Sequence, residues 1–260
     1  MQRMSLNYEG SVAVLKFNHP EVMNAVGSQM LTDFADALMD VRESDARALL
    51  LSGEGRGFCA GANLSDDDRS GADRRTRSGD GLRDRYHPLL LKLRALPMPI
   101  VTAVNGAAAG VGMSFGVMGD IVCASKNAFF LQAFTRIGLV PDGGSTFLLP
   151  RLVGWGRAME LSLLAERLPA EKALEWGLIN RLYETPEELM SGAMEIATKL
   201  ANGPRSLAMT RQLYWQSVHN SYEQQLDLEA KTQNDAGVTR DFKEGVAAFL
   251  EKRDAKFTGE

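Results

Sequence analysis

The stretch Ile100-Val101-Thr102-Ala103-Val104-Asn105-Gly106-Ala107-Ala108-Ala109-Gly110-Val111-Gly112-Met113-Ser114-Phe115-Gly116-Val117-Met118-Gly119 decides the fold class. No residue from Ala95 to Gly119 is charged, a length that suggests a membrane span. Pro97, Pro99, Asn105, five glycines and many small side chains argue against one. The stretch reads instead as a buried strand over Ile100–Val104 followed by a close-packed helix. Working outward, apolar runs at Val12–Phe17, Ala48–Leu51, Ile121–Ala124 and Leu178–Leu182 read as further strands. Helical patterns lie between them. Ser28 stands where it can cap a helix with Leu31, Phe34, Leu38 and Val41 on one face. Others fall at 155–166, 170–176 and 186–201. Strands interleaved with helices predict an α/β fold. After Gly203-Pro204 the composition is helical with few strand formers. This predicts a core over 1–200 and a helical C-terminal region over 201–260.

The composition narrows the class. Of 260 residues, 45% are hydrophobic and 24% charged, enough apolar material for a large core and too much for a disordered chain. A net charge of −4 gives no electrostatic case for nucleic acid. Cys59 and Cys123 cannot form a disulfide framework, and with three histidines they make no zinc pattern, so no metal is expected. Together with a polar N-terminus they predict a reducing, cytoplasmic setting. Residues 65–85 hold six Asp and six Arg and read as a solvated, mobile loop, with a flap beside a site as the alternative.

Two motifs fail on context. Gly112-Met113-Ser114-Phe115-Gly116 matches the nucleophile elbow Gly-x-Ser-x-Gly, which needs a strand entering a sharp turn at the serine. The strand ends about ten residues too early, and Ser114 falls inside a helix. Gly110-Val111-Gly112 with Gly116 lacks the spacing and the following acidic residue of a dinucleotide loop.

Fourteen of the 25 glycines lie in three windows: four in 53–61, five in 106–119 and five in 138–156. Each window follows an apolar run and presents small residues: Gly57–Asn63, Asn105–Gly112 and Gly138–Ser145. Small residues let a ligand approach the backbone, and free N–H groups there can hold an oxyanion. Turns and tight helix packing would also explain the glycines, and the composition alone leaves the two readings open.

These windows, with Asn18-His19-Pro20-Glu21-Val22-Met23-Asn24-Ala25, Leu149-Pro150-Arg151-Leu152-Val153-Gly154 and Trp176-Gly177-Leu178-Ile179, resemble the enoyl-CoA hydratase/isomerase (crotonase) superfamily over nearly the whole chain. The resemblance implies a spiral core of repeated ββα units and a helical C-terminal region used in self-association as a homotrimer or dimer of trimers. It implies an acyl-CoA thioester as substrate, with coenzyme A part of that substrate and no separate cofactor. It also implies that the backbone N–H groups of Ala62 and Val111 form an oxyanion hole. Met23, Ala25, Ala60, Gly61, Asn63, Leu64, Gly110, Ser114 and Phe134 fall at substrate-binding positions.

The two glutamates that activate water in the family's hydratases would fall at Ser114 and Phe134, and neither is acidic here. The acid that remains is Asp142. Leu139-Val140-Pro141-Asp142 is similar to the pattern of ring-epoxide isomerases of phenylacetyl-CoA catabolism, where a single aspartate is catalytic. Pro141-Asp142-Gly143 also suits a β-turn with a structural aspartate. Burial beside Phe134 and Val140 would raise the carboxyl's pKa toward a working range. The expected activity is an enoyl-CoA isomerase that moves a double bond with Asp142 as proton shuttle. A hydratase with an atypical site and a non-catalytic acyl-CoA binder are the alternatives.

Overall fold

The computed structural model describes residues 1–64 and 78–260. In chain order the elements are β1 (Met4–Glu9), β2 (Val12–Phe17), α1 (Ser28–Glu43), β3 (Ala48–Gly53), β4 (Gly57–Cys59), α2 (Ser78–Gly81) and α3 (His87–Arg94). Next come β5 (Ile100–Val104), β6 (Ala107–Ala109), α4 (Val111–Gly116), β7 (Ile121–Ser125), β8 (Phe129–Leu131), α5 (Ser145–Val153) and α6 (Trp155–Leu164). Then follow β9 (Leu168–Pro169), α7 (Ala170–Glu175), β10 (Arg181–Tyr183), α8 (Pro186–Ala201), α9 (Ser206–Ser217), α10 (Tyr222–Gly237) and α11 (Arg240–Glu251).

The strands form two sheets, ordered β1-β2-β3-β5-β7-β10 and β4-β6-β8-β9. Successive pairs β3/β4, β5/β6 and β7/β8 each give one strand to each sheet before the chain turns into a helical segment. This is the repeated ββα spiral that the resemblance implies. All neighbours in the larger sheet are parallel except the β1–β2 pair. Parallel strands covered on both faces read as continuous apolar runs, and every residue of β3 and β5 is buried. Along β2 and β3 the side chains alternate between two cores. Ala13, Leu15, Leu49 and Leu51 face one containing α1, α3 and α4. Val12, Val14, Ala48 and Leu50 face α8, whose buried Ala193, Ala197 and Ala201 are spaced at four residues, on one helical face. Thr185 caps α8 by accepting from the Glu188 N–H at 3.1 Å, with Pro186 at its first position.

An ion pair between buried Arg211 and partly accessible Asp120 ties the C-terminal helices to the core. Arg211 of α9 donates from Nε to both carboxylate oxygens of Asp120, at 2.9 and 2.7 Å, and from Nη1 to the Arg94 and Leu96 carbonyls. Asp120 also accepts from the Ile100 N–H at 2.7 Å, so the pair is welded to β5.

Several expectations need correction. Residues 95–119 form the end of the α3 segment, two strands and a short helix; the expected strand-then-helix missed β6. Among the described residues no helix is long and apolar enough to cross a membrane. Ser28 is the first helical residue of α1 and does not cap it; Gly27 precedes the helix. Only 181–182 of the expected strand 178–182 are in β10. Leu178 and Ile179 are buried, and both donate to the Ala173 carbonyl, closing the end of α7 after Gly177. The loop expected over 65–85 lies outside the described residues up to 77; from 78 the backbone is helical through α2 and a π-helical turn (Leu82–Tyr86) into α3.

Candidate active site

The site begins with a buried asparagine. Asn24 has φ +57, a left-handed conformation that asparagine tolerates. Its carboxamide accepts from the His19 N–H at 2.8 Å and donates to the Glu54, Gly57 and Phe58 carbonyls at 3.0, 2.8 and 3.2 Å. That fixes the Met23–Val26 turn against the first glycine window. Ala60 donates to the Met23 carbonyl, Val26 to the Gly61 carbonyl and Asn63 to the Val26 carbonyl, at 2.9, 2.7 and 2.9 Å. Val26 and Ala62 thus form a parallel bridge. Met23, Ala25, Ala60, Gly61, Ala62 and Asn63 are thereby gathered on adjacent backbone, with Leu64 exposed at its end.

The second window closes on the first. Gly61 has φ +99, and a Cβ on it would lie 2.9 Å from the Ala109 carbonyl oxygen. A larger residue would push the two windows apart. Gly110 N–H donates to the Leu131 carbonyl, and α4 starts at Val111. Among the described residues neither the Ala62 nor the Val111 N–H has a protein acceptor. A Cβ at Gly110 would lie 3.8 Å from both the buried Phe134 ring and the Gly61 Cα, so Phe134 walls the place where the windows meet.

The third window brings Asp142. Gly143 (φ +64) and Gly144 (φ +79) follow it, and the Ser145 N–H donates to the Asp142 carbonyl at 3.2 Å. Two positive φ values in the central positions make this a type I′ turn, which glycine adopts without steric cost. A Cβ on Gly143 would lie 2.7 Å from Ser114 and 3.2 Å from the Val111 side chain, so the turn rests directly on α4. Ser114 is fully buried and donates its hydroxyl to the Asp142 carbonyl at 3.1 Å. Its hydroxyl is thus engaged with the backbone of Asp142. Its place inside α4, five residues after β6 ends, also disposes of the nucleophile elbow.

The Asp142 Oδ1 is buried and, among the described residues, has no hydrogen-bond partner. Burial pushes its pKa up to about 6, and the charge of His87 at the start of α3 pulls it partly back. Val140 does not supply that burial as expected, since it is 79% exposed. A cavity of about 770 Å³ is lined among others by Gly27, Met30, Asn63, Arg85 and Lys92; Asn63 follows Ala62 in the chain, and Val111, Phe134 and Asp142 do not line it.

The family model described as enoyl-CoA hydratase/isomerase matches residues 7–260. The chain belongs to this family. It is 41% identical over 261 residues to the 1,2-epoxyphenylacetyl-CoA isomerase of Escherichia coli, covering 100% of this chain and 99% of that one. It is 42% identical over 263 residues, with full coverage of both chains, to a protein of Rhodobacter capsulatus described as a probable enoyl-CoA hydratase. The crystal structure of an enoyl-CoA hydratase from Bacillus anthracis superposes with a TM-score of 0.91 at 28% identity, over all of both chains. The crotonase fold read from the windows is thus shown.

Three residues of this crotonase-family site escaped the sequence reading. Asn24 was part of a quoted motif but had no role; its signal is that a buried carboxamide must find partners. Ser145, whose hydroxyl also donates to the Asp142 carbonyl at 2.9 Å, and His87 are brought to Asp142 only by tertiary packing.

Proposed function

We propose that the protein is an enoyl-CoA isomerase that shifts the double bond of a 3-enoyl-CoA, or of a ring-derived acyl-CoA, with Asp142 as the single proton carrier. The observation that carries this reading is the buried, unpartnered Asp142 Oδ1 on a turn packed against Val111. The thioester carbonyl accepts from the Ala62 and Val111 N–H groups, which stabilises an enolate; one such donor is worth about 10²–10³ in rate. The polarised thioester makes its C2 proton acidic. Asp142 takes that proton, the electrons delocalise into the 3,4 double bond, and the protonated carboxyl returns the proton to C4. The 2-enoyl-CoA leaves with Asp142 ionised again. One base serves both transfers, which agrees with serine at 114 and phenylalanine at 134.

Coenzyme A fits the same picture. Arg3, Arg85 and Lys92 line the cavity that Asn63 borders, along with the carboxylates of Asp36 and Asp84, and offer cations to its phosphates. Phe249, Val238, Tyr214 and Leu250 in and around the C-terminal helices are 82%, 77%, 75% and 74% exposed, an apolar surface suited to further copies of this chain.

The relative of R. capsulatus supports a second reading, water addition to a 2-enoyl-CoA. Product analysis separates the two. The isomerase reading expects conversion of a 3-enoyl-CoA to the 2-enoyl-CoA with no 3-hydroxyacyl-CoA accumulating. Hydroxyacyl product as the main species overturns it.

The rate should follow the ionised base. With a carboxyl pKa of about 6, kcat/KM is expected to fall on the acid side with a midpoint near that value. His87→Gln removes a positive influence, so the midpoint should move to higher pH. A pH–rate profile of both proteins checks this, and a midpoint unmoved or lowered in the variant would contradict the assigned pairing.

A further inference from the structure

We propose that Ser114 is a positioning residue, whose hydroxyl locks the turn carrying Asp142 to the same backbone segment that carries Val111. The inference rests on Asp142 being the base and goes beyond it by naming what sets the base's distance from the polarised carbonyl.

Three donors meet at one oxygen. The Asp142 carbonyl accepts from the Ser145 N–H at 3.2 Å, the Ser145 hydroxyl at 2.9 Å and the Ser114 hydroxyl at 3.1 Å. Two of them are local, since Ser145 closes the turn on itself. The Ser114 bond alone crosses from the turn to another element. Ser114 lies three residues after Val111 and so on the same face of α4. Gly143 then rests on both Val111 and Ser114, with no room for a Cβ against Ser114. Carbonyl-holding N–H and proton-moving carboxyl are thus connected through one short strut with no loop between them. Among the described residues the carboxylate has no partner at Oδ1, so its placement comes from the backbone of its own residue. A base held in this way is aimed by its main chain, and a displacement of about 1 Å at such a group costs on the order of 10²-fold in rate.

The arrangement also accounts for residue size. Ser114 is 0% exposed and touches the place of a Gly143 Cβ. A longer side chain at 114 would have to displace the turn and carry Asp142 with it.

The test compares Ser114→Ala with Ser145→Ala, using isomerase turnover, the pH profile of kcat and thermal unfolding. Ser114→Cys, which keeps the volume and weakens the donor, is the second variant should the alanine protein fold poorly. Ser114→Ala is expected to lower kcat about 10- to 100-fold with KM within about 2-fold. Its acid-limb midpoint should drop below that of the parent, because a looser carboxyl samples wetter positions. Ser145→Ala should lose less, as the Ser145 N–H still closes the turn. A Ser114→Ala protein with parental kcat and parental midpoint, changed only in melting temperature, overturns the proposal. Asp142→Asn run alongside keeps the two failures apart. If it is inactive while Ser114→Ala is unaffected, the positioning role falls and the base assignment stands. If Asp142→Asn retains turnover, the base assignment falls and takes the positioning role with it.

Discussion

Asp142→Asn is expected to abolish double-bond migration and to make the protein more stable at pH 8. Loss of a positioned general base costs about 10²–10⁴ in rate. The other carboxylate in the three glycine windows, Glu54, is paired with Lys16 at 2.9 Å, so the upper part of that range is expected. Stability should move the other way. The folded-state pKa of Asp142 is raised to about 6 from 3.8, so the folded protein holds this proton where the unfolded chain has released it. Its ionised form therefore destabilises the fold above that window. At about 1.4 kcal/mol per pKa unit, and with the side chain partly exposed, the variant should gain about 1–3 kcal/mol at pH 8. The gain should shrink as pH falls through 6 and vanish below about 4, where the aspartate is protonated in both states. Thermal or urea unfolding of both proteins across pH 4–8 measures it. A variant less stable than its parent at pH 8 would show that Asp142 is a structural turn residue, the other reading open from its sequence context.

The second large effect is on the tie between core and C-terminal helices. Arg211→Met should destabilise the protein by about 1–3 kcal/mol, because the buried guanidinium is lost together with its bonds to Asp120 and to the Arg94 and Leu96 carbonyls, while Asp120, at the protein surface, keeps access to water. Asp120 already has a raised pKa because of burial, with Arg211 opposing that rise. Without the guanidinium the pKa rises further, so the loss should be largest at alkaline pH and should lessen on acidification as Asp120 takes a proton. Adding Asp120→Asn should restore much of the stability, since an amide still accepts from the Ile100 N–H at little charge cost. Equal destabilisation of the single and double variants, measured by urea unfolding, would mean that Arg211 acts through packing rather than through its partner.

What the sequence disclosed follows from element length. The long parallel strands β2, β3 and β5 are buried on both faces, and uninterrupted apolar runs such as Ala48–Leu51 announce them. The three-residue strands β4, β6 and β8, with the two-residue β9, form the second sheet, and no period shows in segments so short; Ala107–Ala109 reads as a packed helix start. β1 escaped because its outer half is exposed and polar. Leu178 and Ile179 were drawn into a strand because burial at a helix end looks the same in one dimension as burial in a sheet. In the site, the glycine windows were legible as places of close backbone approach, and Gly61 and Gly143 both prove to be such places. Asp142 stood out through the family resemblance. Ser114 stood at a quoted motif position, but its bond to the Asp142 carbonyl, like the parts played by Ser145 and His87, was not legible, because these contacts exist only after three distant segments meet.

The central claim is that one carboxyl moves the proton from C2 to C4. A 3-enoyl-CoA deuterated at C2 tests it most directly, with NMR of the 2-enoyl-CoA product. The account predicts product carrying part of the label at C4 at neutral pH, and no migration with Asp142→Asn. Migration at the parental rate in Asp142→Asn, or a 3-hydroxyacyl-CoA as the main product, would contradict it.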